Sequence, residues 1–66
     1  EQLDRPSVQA EALYNLGHFN TIEGDFEKAL ENHKSALAIQ RSIYNREKEA
    51  RLLNDIGELY VLMKNE

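Results

Sequence analysis

A shift of 40 residues lays one part of this chain on another. Ala10-Glu11-Ala12-Leu13-Tyr14-Asn15-Leu16-Gly17 falls on Ala50-Arg51-Leu52-Leu53-Asn54-Asp55-Ile56-Gly57, and the same shift sets Leu3 on Ile43 and Phe19 on Leu59. The shared pattern is a small residue, a large apolar residue three further on, another three after that, then glycine. A unit that recurs at this period is a supersecondary element whose apolar face is buried only when neighbours stack on it. That constrains the fold more than any other feature of the chain.

Each unit reads as helix. Leu13, Leu16, Gly17 and Asn20 follow the spacing that gathers residues on one helical face. Gly24-Asp25 ends the run, with Gly suited to a helix C-terminal turn and Asp to an N-cap. Glu27 then lies at the positive end of the next helix dipole. From Phe26 an apolar face continues through Ala29, Leu30, His33, Ala36, Leu37 and Ile43. Tyr44-Asn45 closes it, and Asn45 is placed to cap a third helix carrying Leu52, Leu53, Ile56, Leu59, Tyr60 and Met63. Upstream, Asp4 or Ser7 is the expected first cap, and Pro6 belongs in a first turn, where its missing N–H costs nothing.

The expected fold is therefore all-α, with helices near 5–23, 26–43 and 46–64. Two-residue connections make successive helices antiparallel. The chain reads as one helical hairpin and one further helix: residues 1–9 as the tail of a preceding repeat, 10–49 as one full repeat, and 50–66 as the first helix of the next. It lacks an initiating Met, and we expect it to be part of something longer.

Composition narrows the function. The chain carries a net charge of −4, which disfavours a phosphate-binding face, and the basic residues between Arg41 and Arg51 are interrupted by Glu47 and Glu49. No apolar run approaches a membrane span. There is no cysteine, so disulfides and thiolate metal sites are excluded, and a reducing, cytoplasmic setting is expected. Neither nucleic acid nor membrane is an expected partner.

The stretch from Ala10 to Ile39, with Ala-Glu-Ala-Leu-Tyr-Asn-Leu-Gly, Gly-Asp-Phe-Glu-Lys-Ala-Leu and Ser-Ala-Leu-Ala-Ile, resembles the tetratricopeptide repeat family. The resemblance implies a fragment of a right-handed α-solenoid. It puts Gly17 and Ala29 where the hairpin helices cross and Ala36 where the hairpin meets the next helix. Leu13, Leu16, Phe26 and Leu30 fill the layer between, with Ile56 and Gly57 in equivalent positions of the next unit. The chain departs from the family pattern at Leu13, Asn20 and His33, where bulkier aromatics are usual, and at Arg41, where a Pro often stands. Its 40-residue period is similar to a subclass found in signalling and regulatory scaffolds.

What the resemblance implies about function is protein or peptide binding on a concave face. Carried over by position, that face presents Tyr14, Asn15, His18, Thr21 and Ile22, then Arg51, Asn54, Asp55 and Glu58. One branch of the family clamps a C-terminal carboxylate with Lys and Asn residues; Tyr14, His18 and Asp55 stand at those places, so that mode is not expected. A polar face with one aromatic suits a helical or extended partner holding some basic residues.

The residues bear on two other readings. A metal-dependent enzyme would need ligands converging on one point, whereas His18 and His33 lie on separate helices with no paired histidine motif. The serines lack a nucleophile elbow, and the glycines never cluster into a phosphate cradle. His33 reads as a core histidine and His18 as a groove contact; no catalytic residue, metal or cofactor is expected. A helical self-association element is the alternative, since Leu53, Ile56, Tyr60 and Met63 form an apolar stripe. It leads us to expect a homo-oligomer, or neighbouring repeats, covering the outer helices.

Overall fold

The computed structural model describes residues 5–64. They form three α-helices in succession, α1 (Arg5–Glu23), α2 (Phe26–Ser42) and α3 (Arg46–Lys64). The fold is all-α, as the sequence implies. Pro6 lies in the first turn of α1, and Ser7 follows it inside the helix rather than capping it. Asp4, the other expected cap, lies outside the described residues, as does Leu3.

The two connections are built alike. After α1, the Asp25 N–H donates to the Asn20 carbonyl at 2.9 Å and the Gly24 N–H to the Thr21 carbonyl at 3.1 Å. After α2, the Asn45 N–H donates to the Gln40 carbonyl at 2.9 Å and the Tyr44 N–H to the Arg41 carbonyl at 3.1 Å. This nested pair of bonds satisfies the last carbonyls of a helix when the residue after the cap is left-handed. Gly24 takes that conformation with φ of 85°, and Tyr44 takes it with φ of 59°. The next residue then caps the following helix. The Lys28 N–H donates to Asp25 Oδ1 at 3.4 Å and the Lys48 N–H to Asn45 Oδ1 at 3.2 Å.

These turns leave α2 between α1 and α3, which both pack against it. A helix with neighbours on two sides needs a wide buried face, and α2 buries Ala29, His33, Ala36, Leu37 and Gln40. Against α3 the contact is apolar: Ala36 and Leu37 meet Leu52 and Ile56, with Leu13, Tyr14 and Leu30 packed on the cluster. Against α1 it is tight and partly polar. The buried residues of α1 are Ala10, Gly17 and Asn20. A Cβ on Gly17 would lie 2.6 Å from His33 Cε1 and 2.7 Å from Nδ1, so the glycine is what lets the imidazole lie against the helix backbone. Asn32 Nδ2 donates to Asn20 Oδ1 at 2.7 Å and ties the two helices one turn further on.

Ala29 and Ala36 are both 0% exposed, at the two contacts of α2 where small residues were expected. Leu13, Phe26 and Leu30 are half-buried and Ile56 is buried. Two expectations are corrected. Leu16 is 48% exposed, because its side of α1 faces away from α2. Gly57 has nothing within 4 Å of where its Cβ would be, because among the described residues no helix packs on that side of α3.

The paired glycines therefore differ in energy although they match in sequence. We predict that Gly17→Ala destabilises the fold by about 1–3 kcal/mol through overpacking against the confined His33 ring. Gly57→Ala should stabilise it, by up to about 1 kcal/mol, through helix propensity alone. Chemical denaturation of the two variants checks this; equal effects would contradict the crossing described.

Candidate functional site

With α2 as floor, α1 and α3 form the two walls of a shallow groove. Lys48 Nζ reaches across it to Glu11 Oε1 at 3.1 Å, with both side chains largely in solvent. An exposed pair of this kind adds little stability and marks where the walls come together. Two small cavities open along the floor. One lies between Glu11 and Tyr14 of α1, Gln40 of α2, and Lys48, Arg51 and Leu52 of α3. The other, of about 50 Å³, lies between His18 and Thr21 of α1, His33 of α2, and the α3 residues Asp55 and Glu58, with Leu59 and Leu62 as its apolar side.

Between the cavities stands an aromatic cluster. The Tyr14 hydroxyl and His18 Nε2, one turn apart on α1, are hydrogen-bonded at 3.1 Å. Their rings meet edge to face with centroids 5.0 Å apart, and the His33 ring lies 5.5 Å from Tyr14 and 6.1 Å from His18. Offset and edge contacts in this range suit the ring quadrupoles. Thr21 is held by its hydroxyl, which donates to the Gly17 carbonyl at 3.0 Å.

The electrostatics follow from burial and from Asp55. Burial raises the Tyr14 pKa above its ordinary 10.0; the Asp55 carboxylate raises it further, while Arg51 opposes. Burial lowers the His33 pKa below its ordinary 6.5, with Asp55 opposing and His18 adding to the depression. His33 is thus held neutral, and it is only 2% exposed. Three buried polar atoms along the groove have no hydrogen-bond partner: His33 Nδ1, Gln40 Oε1 and Asp55 Oδ2. Buried polar atoms are normally paired, so each calls for an explanation.

Of the residues expected on the concave face, the structure gathers Tyr14, His18, Thr21, Arg51, Asp55 and Glu58 around the two cavities. Asn15 instead lines a wide surface hollow with Ser7, Val8 and Ala12. Asn54 and Ile22 are exposed and line neither groove cavity. Sequence reading missed Gln40, which is 3% exposed on the floor. Its signal was there: Gln40 continues the α2 stripe one turn beyond Ala36 and Leu37, a place where a polar residue needs a reason. Glu11 and Lys48 were missed because nothing in a helix pattern shows which charges meet across a groove. Among the described residues no group of three His, Cys, Asp or Glu side chains is arranged to hold a metal ion.

Antiparallel helices joined by short turns, repeated at a fixed period and leaving a groove over the middle helix, define a helical-hairpin repeat scaffold. The profile of the family described as Tetratricopeptide repeat matches residues 8–66, and the chain belongs to that family. No curated protein and no solved structure matches the chain at a significant level. Proteins of this family are in general protein–protein interaction scaffolds and are typically non-enzymatic.

The depressed His33 pKa fixes a pH response. The unfolded chain takes up the His33 proton near 6.5, whereas the folded chain does so only at lower pH. Stability contributed by neutral His33 is therefore present above 6.5 and is lost as pH falls from 6.5 to the folded value. Denaturation midpoints measured from pH 7.5 downward should fall through that window. A His33→Leu variant should lack that part of the decline.

Proposed function

We propose that the chain binds a helical or extended protein segment in the groove between α1 and α3. It acts as part of a regulatory or signalling scaffold in which residues 10–49 form one repeat and residue 50 onward opens the next. The observation that carries this reading is the lining of the groove, where Tyr14, His18, Arg51, Asp55 and Glu58 from the two walls meet Gln40 and His33 of the floor around two cavities. A peptide laid along the groove meets both signs of charge within one contact, the kind of arrangement that fixes register and orientation. Tyr14 offers a rigid aromatic edge at the centre of the contact, the kind of side chain that anchors interfaces.

A displayed library of random peptides, selected on the folded chain, tests the reading. Selected peptides should lose affinity for the double variant Arg51→Ala with Glu58→Ala, both exposed, while its helicity and stability stay within about 0.5 kcal/mol of the parent. Peptides that bind both proteins equally would place the binding face elsewhere.

A second contact, with neighbouring repeats or another copy, is favoured by the exposed apolar residues of the outer helices. The 40-residue register sets the exposed α1 residues Ala12, Leu16 and Phe19 on the α3 residues Leu52, Ile56 and Leu59, which are buried against α2. The outer face of α1 is thus built like one that already seats on a helix of this type. Sedimentation over a concentration series should show association, weakened by Phe19→Glu; a monomer at high micromolar concentration would contradict it.

A further inference from the structure

We propose that two copies of this chain exchange α3, by straightening the turn at Tyr44 so that α2 and α3 of each copy run on as one helix. The inference is independent of the groove-binding reading and starts from a difference between the two turns. Both carry the same nested hydrogen bonds, and both place a left-handed residue after the helix they end. The first turn supplies Gly24 with φ of 85°, the second Tyr44 with φ of 59°. Glycine takes that backbone without steric cost, whereas a side chain there crowds the carbonyl that follows. The Tyr44 residue is 84% exposed, so its ring finds little packing to offset the strain. A short hinge under strain is the kind across which elements exchange between copies.

What surrounds the hinge favours the straight form. From Asp25 to Ile56 the chain holds neither glycine nor proline, so no helix breaker stands in the way of a helix through positions 43–45. Ile43, at φ of −104° and ψ of 10°, is already a small step from helical values. The turn's backbone bonds give way to helical ones. The phase is right as well. At about 100° per residue, Leu37 and Leu52 fall within about 60° of each other on a continuous helix, and Leu37 and Leu59 within about 40°. The apolar sides that α2 and α3 turn to each other thus become one stripe. Two such helices laid antiparallel restore the contacts of the turned form between copies. Ala36 and Leu37 of one chain meet Leu52 and Ile56 of the other, and the Arg41–Glu49 ion pair forms across the two. Each groove then takes α1 and α2 from one copy and Arg51, Asp55 and Glu58 from the second.

The test uses the whole chain, which has no cysteine of its own. Two single variants, Lys34→Cys and Tyr60→Cys, are mixed at high micromolar concentration, refolded together from urea and treated with a short bismaleimide. The two positions meet across the α2–α3 contact, with Lys34 Nζ 5.9 Å from the centre of the Tyr60 ring. A covalent heterodimer is expected from the mixture and no covalent dimer from either variant alone. Association through outer faces keeps position 34 beside position 60 of its own chain, so it yields no such product. Sedimentation equilibrium then measures the hinge, in a Phe19→Glu background that removes the outer-face contact. Tyr44→Gly relieves the turned form and lowers the helix propensity of the straight one, at both hinges of the dimer. It should weaken dimerisation at least about tenfold. Tyr44→Ala removes the same ring, keeps the left-handed penalty and should dimerise at least as well as the parent. A mixture that gives no covalent heterodimer, or Gly and Ala variants that dimerise equally, would overturn the proposal.

Discussion

The close approach of the Gly17 backbone to the His33 ring sets the geometry of everything else. There is no space for even a methyl group between them, so α1 lies as near to α2 as a side chain on one surface permits. That approach draws Tyr14 and His18 over His33, brings Thr21 to the edge of the cavity, and leaves α2 free to receive α3 on its Ala36 and Leu37 side. A larger residue at position 17 would push α1 outward and open the groove. The same contact explains why a histidine is tolerated in a small core. The ring is buried, neutral and packed by other rings, so dispersion offsets the cost of its unpartnered nitrogen.

Much of this architecture is legible in the residues, and the reason is local. Gly24-Asp25 and Tyr44-Asn45 are short signals with definite conformational meaning, and the helices end within a residue of where those signals place them. Ala29 and Ala36 were readable as contact points because small residues interrupt a large apolar stripe. What sequence could not say is which side of each repeated helix would find a neighbour. Leu16 and Ile56 are equivalent in the 40-residue register, yet one is exposed and the other buried, because α2 packs on different faces of α1 and α3. Gly17 and Gly57 differ for the same reason. Tyr44 was read only as a break; the left-handed backbone it adopts is one that side chains seldom take outside Asn, Asp and Gly.

The candidate site was partly legible in the same sense. Face assignments carried over from the repeat pattern place Tyr14, His18, Thr21, Arg51, Asp55 and Glu58 about one groove, because helical period decides direction. Asn15 and Asn54 fall just off it, a difference of one residue that rotates a side chain by about 100°. The polar floor was the least visible part. Gln40 and His33 belong to a buried stripe, and only packing decides that they line the groove cavities. Asn20, which departs from the aromatic usual in the family, is explained by its bond from Asn32, a hydrogen bond that ties α1 to α2 at that place.

The central claim is that Gly17 and His33 act as one contact, and a double-mutant cycle measures it directly. Unfolding free energies would be determined for the parent, Gly17→Ala, His33→Ala and the double variant. If the added methyl is resisted by the imidazole, removing the ring makes room for it. The double variant should then be at least about 1 kcal/mol more stable than the sum of the single losses implies, well outside the ~0.5 kcal/mol expected of independent sites. Losses that simply add would show that α1 and α2 do not meet at this pair, and the groove geometry built on it would fail.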